Sequence, residues 1–469
     1  MRAQSTRHSR MPSTNASTRT DMKRLLPLFL ILLLAVSCAS TEKSSTAVSS
    51  AVGETVYESV DYASLLKLDF SSSTKKAEVT VRLFVDGDTT HFNVSSSVSS
   101  DGVLKARYLA VNTPESTGKI EEWGKAAAKF TRERLENASS IIVESDDSVW
   151  NLDSTGGRYL VWVWYRSAEE EDYRCLNLEL LQQGLAIPSS SANNRYGEEC
   201  MSAIAQAKRE KKCVWSGEKD PDFYYGDSIS LTLKELRAHT EDYSGIKVSF
   251  EGVVTRNWDN SVYIEDYDEE TGHSYGISVY YGYSLSGGGL RILKPGNRVR
   301  IVGTVQYYEG DGTWQVSGIK YREMKKDDPD NIQLISSENE IAYELVDLYF
   351  FNNGTITVTV GDELVELPAS SALECTAVEI ADLYVEDAYV NTNESSSFYR
   401  ALTLKCSDGQ EEIQIRTIPL KDNNGNYLVA EDYIGRTIKV RGIVESYLGE
   451  SEIYVFSFDD ITLENQESL

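Results

Sequence analysis

A ten-residue stretch occurs twice in the second half of the chain. Gly296-Asn297-Arg298-Val299-Arg300-Ile301-Val302-Gly303-Thr304-Val305 lines up with Gly435-Arg436-Thr437-Ile438-Lys439-Val440-Arg441-Gly442-Ile443-Val444, and a Tyr and a Gly follow each copy closely (Tyr308, Gly310; Tyr447, Gly449). Such a repeat is one supersecondary unit used twice, which restricts the region to two copies of one β domain. In the first copy, Lys247 to Thr255, Ser261 to Glu265, Gly276 to Tyr281, Arg298 to Gln306 and Trp314 to Val316 are strand-like and separated by turn residues. The second copy offers Glu374 to Leu383, Tyr399 to Cys406, Glu412 to Ile418, Thr437 to Val444 and Glu452 to Phe458. Five short strands apiece fit a small Greek-key barrel, with expected domains at 226–330 and 338–465.

The N-terminus reads as an address. Lys23-Arg24 precedes an apolar run from Leu25 to Val36, the form of a signal peptide and too short for the ~20 residues of a membrane span. The run ends at Ala35-Val36-Ser37-Cys38, which resembles a bacterial lipobox with Ala35 where Leu is commonest. Residues 1–37 are therefore expected to be removed, with Met22 as the expected start, and Cys38 to carry lipid; a cleaved, soluble secreted protein is the alternative. Small polar residues from 39 to 53 form a tether within the lead-in 38–75, placing the protein at a bacterial cell surface or in the periplasm.

The formal net charge is −27, and it is unevenly spread. Residues 75–222 hold 19 Lys and Arg against 24 Asp and Glu, whereas 223–469 hold 19 against 43. Bulk charge thus opposes non-specific adhesion to nucleic acid, most strongly in the second half. Local basic strips remain possible at Arg298-Arg300 and Lys439-Arg441, and Trp258, Tyr263, Tyr280, Tyr281, Tyr307, Tyr308 and Trp314 offer stacking faces for a single strand or a protein contact. After Cys38 an odd five cysteines remain; Cys375 with Cys406 and Cys200 with Cys213 are the pairings to test against buried free thiols.

Between 76 and 222, Ala77–Val85 and Val103–Val111 read as strands joined across a Ser-rich turn, Tyr159–Tyr165 as a buried strand, and Glu121–Glu136, Leu176–Leu185 and Glu198–Lys212 as helices. A β meander covered by helices suggests an OB-type barrel, so the whole chain is expected to be mainly β with α (α+β). Asp86-Gly87-Asp88-Thr89, Arg107, Asn112-Thr113-Pro114-Glu115 and Gly157-Arg158 place acidic ligands, one candidate base and two arginines in this domain. That inventory suits phosphodiester cleavage, in which charge grows on the phosphate while a water loses a proton.

These motifs, with Leu180 to Ala186 and Ala205-Gln206-Ala207-Lys208-Arg209-Glu210-Lys211 leading to Trp215, make 76–222 resemble a thermonuclease domain of the staphylococcal nuclease family. The resemblance implies Ca²⁺ held by Asp88, the Asn112 side-chain oxygen and the Thr113 carbonyl, with Asp86 in support. It implies Glu115 as general base and Arg107 and Arg158 on the phosphate oxygens, cleaving DNA and RNA to 3′-phosphate and 5′-hydroxyl ends. Taken singly, Asp86-Gly87-Asp88 could be a turn and the other groups surface charges; their joint spacing argues otherwise. Two departures stand out: Asn112 replaces the Asp of the best-known members, which weakens metal binding, and Ile187-Pro188-Ser189-Ser190-Ser191 lacks stacking tyrosines, with Tyr196 the nearest substitute. A catalytically weakened binding module is the alternative. His91, His239 and His273 are scattered, which excludes His-metal and His-pair nuclease chemistry.

Overall fold

The computed structural model describes residues 58–464, apart from 170, 284 and 395. The signal segment, Cys38 and the whole tether of 39–53 lie outside the described residues.

The first barrel is formed by β1 (Lys76–Asp86), β2 (Thr89–Asn93), β3 (Val103–Tyr108), β4 (Ser140–Glu144) and β5 (Tyr159–Arg166). β1 pairs antiparallel with β2 and β4, β2 with β3, and β4 with β5; parallel pairing of β3 with β5 closes the ring. Its core holds Phe92, Leu104, Val143, Trp162 and Trp164, and the helices α1 (Gly124–Glu136), α2 (Leu176–Gln182) and α3 (Gly197–Arg209) pack around it. Every residue of α2 is buried: its four leucines pack in the core, and Asn177, Glu179 and Gln182 are hydrogen-bonded there. The expected strand Val103–Val111 breaks after Tyr108 because Ala110 takes φ +68°; Ala110–Asn112 then pairs with Ile187–Ser189 instead.

The repeat is structural. β6 (Lys247–Trp258), β7 (Ser261–Asp268), β8 (His273–Tyr280), β9 (Arg298–Tyr308) and β10 (Thr313–Ser317) close a second barrel. β11 (Ala377–Val390), β12 (Leu402–Ser407), β13 (Glu412–Thr417), β14 (Thr437–Tyr447) and β15 (Glu450–Val455) close a third. Both follow the connectivity of the first: three strands in sequence, a parallel pairing of third with fifth, and the fourth strand returning to the first. The repeated decapeptide is the fourth strand and the turn entering it. Gly303 and Gly442 recur there because a Cβ would lie 2.7 Å from the Ser317 carbonyl oxygen in one copy and 2.4 Å from that of Tyr454 in the other.

One apolar core runs through the second and third barrels, whereas the first keeps its own. Across the shared side, Glu265 Oε2 accepts from the Ala377 amide at 2.6 Å, His273 Nδ1 lies 2.6 Å from Glu344 Oε1, and Arg237 bridges the Glu374 carboxylate and the Gly276 carbonyl. A hairpin of Thr355–Val360 with Glu363–Pro368, flanked by the short helices Leu348–Asn353 and Ala369–Ala372, precedes the third barrel and was not expected from sequence.

All five described cysteines are free thiols. Cys375 packs with Tyr263, Ala377 and Ile443, while Cys406 belongs to the large shared core, so the two sit in different layers. Three of the four basic groups in the strips are neutralised: Arg298 pairs with Asp266 at 2.8 Å, and Lys439 and Arg441 both pair with Glu379, while Arg300 donates to the Pro329 carbonyl.

Candidate active site

The candidate residues gather at one end of the first barrel because four local features point there. The β1–β2 turn presents Asp86 and Asp88, the end of β3 presents Arg107, the chain after Ala110 presents Asn112 to Glu115, and Arg158 directly precedes β5. The turn is wedged tightly: a Cβ on Gly87 would come within 2.9 Å of Ala127 and Thr113, and Thr131 Oγ1 donates to the Gly87 carbonyl at 2.6 Å. Register places Arg107 opposite Thr89 on one side and Leu160 on the other, next to both the acidic turn and the start of β5.

Asp88 is buried, 2% exposed, with every contact satisfied from the protein. Its Oδ2 accepts from the Thr113 amide at 2.9 Å, its Oδ1 accepts from Thr89 Oγ1 at 3.0 Å, and the same oxygen pairs with Arg107 Nη1. Arg107 Nη2 donates to Asn112 Oδ1 at 2.6 Å. Asp86 Oδ1 collects the Gly87 amide at 2.7 Å, the Ser116 hydroxyl at 2.6 Å and the Ser116 amide at 3.2 Å.

Glu115 remains solvent-accessible, as a group that activates water must. Partial burial of its carboxyl, with the Asp86 carboxylate beside it, pushes its pKa up to about 7, and Arg107 acts in the opposite direction. Its backbone is pinned: the Glu121 amide donates to the Glu115 carbonyl at 2.9 Å, and Gly124 lies so near that a Cβ would be 2.1 Å from that oxygen. Arg158 Nε donates to Asp153 Oδ2 at 2.7 Å, while its terminal nitrogens make no protein hydrogen bond among the described residues. Burial raises Asp153, but the Thr155 hydroxyl and Arg158 outweigh it and hold the carboxyl at about 2. Burial, and then the charge of Arg158, pull Arg107 below the usual arginine range, while Glu115, Asp86 and Asp153 oppose the shift. The two guanidiniums and three carboxylates therefore share one field.

Among the described residues, no three His, Cys, Asp or Glu side chains gather as a metal cage. The expected ligand set differs in kind: two carboxylates with the amide oxygen of Asn112 and the carbonyl of Thr113, all hard oxygen donors suited to Ca²⁺. Thr113 Oγ1, buried in the same place with no hydrogen-bond partner, is a further oxygen available to a cation. The residues fit such an ion, although Arg107 engages two of its oxygens here.

Several features escaped the sequence reasoning. Ser116 and Asp153 support the site; Ser116 directly follows Glu115, Asp153 precedes Arg158 by five residues, and Gly124 had no visible signal. Tyr196 is not a stacking platform: it is 7% exposed, lies edge-on to Trp162 and Trp164, and donates to Glu144 Oε2 at 3.0 Å. In the second half, Trp258, Tyr263, Tyr280, Tyr308 and Trp314 line a cleft of about 810 Å³ between the second and third barrels, facing Arg416 and Tyr454. Residues 105–217, spanning Arg107, Asn112, Glu115, Arg158 and the three helices, match the sequence model of the family described as Staphylococcal nuclease homologue. The chain thus carries a nuclease-type domain of the staphylococcal nuclease family, followed by two further five-stranded barrels of OB-like layout.

Proposed function

We propose that this protein is a Ca²⁺-dependent nuclease that hydrolyses phosphodiester bonds of DNA and RNA outside the cytoplasm, held to a membrane by lipid on Cys38. The observation that carries the reading is the convergence of Glu115, Arg107 and Arg158, all inside the family-matched residues 105–217, beside Asp86 and Asp88 of the preceding β1–β2 turn. Asp88, Asn112 Oδ1 and the Thr113 carbonyl, supported by Asp86, are the groups that would hold Ca²⁺. When bound, the ion supplies positive charge next to the scissile phosphate and eases its charge build-up. Glu115, once deprotonated, accepts the proton of a water aimed at phosphorus. Arg158, anchored through Nε, turns its terminal nitrogens to the phosphate oxygens, where a planar charged fork binds two at once. Arg107 serves the same oxygens after letting go of Asp88 and Asn112. The products implied by the family resemblance carry 3′-phosphate and 5′-hydroxyl ends.

Digestion of plasmid DNA with Ca²⁺ and with chelator tests the reading; Ca²⁺-dependent nicking supports it. A second reading, a binding module with weakened catalysis, draws on Arg107's hold on two ligand oxygens and on the neutral Asn112. Nucleic-acid binding without metal-dependent cleavage would select it.

A further inference from the structure

The loop that carries Glu115 does not rest on its own barrel alone. On the second barrel, β9 pairs with β10 so that Thr304 faces Ser317 and Gln306 faces Gln315. The intervening Val305 and Val316 point into the barrel core, so Gln306 and Ser317 share the opposite, outer face. Polar side chains on such a face ordinarily stand in water, yet Gln306 is 6% and Ser317 0% exposed. The loop of the first barrel covers them. Gln306 Oε1 accepts from the Gly118 amide at 3.1 Å, Gln306 Nε2 donates to the Ser116 carbonyl at 3.3 Å, and Ser317 Oγ donates to the Gly118 carbonyl at 2.7 Å. Ser317 Oγ also lies against Gln306 Oε1, so its single proton is shared between the Gly118 carbonyl and the Gln306 amide oxygen. The approach is close: a Cβ on Gly318 would sit 3.3 Å from the Gly118 oxygen.

The grip falls on a sensitive segment. Ser116, whose carbonyl Gln306 holds, places its amide and hydroxyl on Asp86 Oδ1, and Glu115 is the preceding residue. Gly118 turns the chain at φ +66°, and the contacts from Gln306 and Ser317 fall on Ser116 just before that turn and on Gly118 itself. Among the described residues, the first barrel holds this segment before its turn, through Asp86 at Ser116 and the Glu121 amide at the neighbouring Glu115, and beyond it by the exposed Lys119–Glu121 pair; Gly118 itself is held by the second barrel. An active-site group must be held to within a fraction of an ångström to act efficiently.

We propose that Gln306 and Ser317 are positioning residues of the nuclease site: the second barrel serves as a brace that holds backbone 116–118 and, through it, sets Ser116 on Asp86 and Glu115 at the attacking water. This rests on the nuclease reading above, and it gives the second barrel a role in catalysis that requires no nucleic-acid contact of its own. Removal of the brace loosens Glu115 without touching a phosphate-binding group, so turnover falls while substrate affinity stays.

The test uses the full chain carrying Gln306→Ala, Ser317→Ala or the pair, assayed for Ca²⁺-dependent oligonucleotide cleavage, with hydrogen exchange followed at 114–121. The expected result is a kcat lowered on the order of tenfold, KM within about twofold of wild type, and faster exchange at the Gly118 amide. Gln306→Glu keeps the acceptor for Gly118 and Ser317 and loses only the donor to Ser116, so it should recover part of kcat. Glu309→Ala, which breaks the Arg132–Glu309 contact between the same two barrels away from the loop, should leave kcat unchanged. The proposal is overturned if exchange quickens while kcat holds, if the loss is wholly in KM, or if Glu309→Ala loses as much kcat as Gln306→Ala. Wild-type protein that fails to cleave with Ca²⁺ overturns the nuclease reading itself, a result distinct from all of these.

Discussion

Replacing Arg107 with Ala should strengthen Ca²⁺ binding while destroying cleavage. Arg107 spans Asp88 Oδ1 and Asn112 Oδ1, the two side-chain oxygens expected to ligate the metal, and only 18% of its side chain is exposed. A guanidinium and a cation cannot share those lone pairs, so Ca²⁺ binding has to displace the arginine. Hydrogen bonds to charged groups contribute roughly 1.5–3 kcal/mol each. Since ~1.4 kcal/mol is tenfold in a binding constant, a net gain equal to only one of the two contacts would tighten Ca²⁺ in Arg107→Ala about ten- to a hundredfold. The same change strands the Asp88 carboxylate in a buried position. Loss of one partner of a buried pair costs about 3–5 kcal/mol of stability, part of which bound Ca²⁺ should restore. Calorimetric Ca²⁺ titration and thermal unfolding with and without Ca²⁺ read both effects on the full chain. Ca²⁺ binding in Arg107→Ala equal to or weaker than wild type would refute the competition and remove Asp88 and Asn112 from the ligand set.

Two pH effects follow from carboxyls held above their ordinary range. With Glu115 at about 7 before metal binds, the base is protonated in acid, so kcat/KM should climb tenfold per pH unit and level off at an inflection between the ordinary 4.5 and about 7, since a bound cation favours ionisation. Glu115→Gln should be slow at every pH and lack this limb; a limb that persists assigns it to another group. Burial pushes Glu265 to about 8, so between pH 4.5 and 8 the folded protein keeps a proton that the unfolded chain gives up. A raised carboxyl makes its contribution in acid and loses it as pH rises through that window, by on the order of 5 kcal/mol. Urea unfolding of Glu265→Gln should match wild type near pH 4 and exceed it at pH 9; parallel curves would contradict the assignment.

What could be seen in the sequence was what is local. The barrel strands announced themselves through β-branched runs and turn residues, and the decapeptide repeat marked the same fourth strand twice because closure of each barrel demands a glycine at one spot. The site residues were visible because four short motifs each sit at a strand end. Relations across the chain were not visible. Gln306 and Ser317 look like ordinary outward residues until a loop nearly two hundred positions earlier covers them. Tyr196 has the composition of a platform but is drawn inward by Trp162, Trp164 and Glu144. The acidic excess hinted at weak nucleic-acid affinity, yet only pairing shows that Arg298, Lys439 and Arg441 are already spent on Asp266 and Glu379. The break at Ala110 rests on a single positive φ that no alanine advertises.

The most direct test of the central claim is single-turnover cleavage of an end-labelled DNA oligonucleotide by wild type, Glu115→Ala and Arg158→Ala, each with Ca²⁺ and with chelator. The account predicts Ca²⁺-dependent cleavage by wild type, 3′-phosphate ends, and rates lowered at least a hundredfold in both variants with unfolding temperatures little changed. Cleavage by Glu115→Ala within a few-fold of wild type would contradict it.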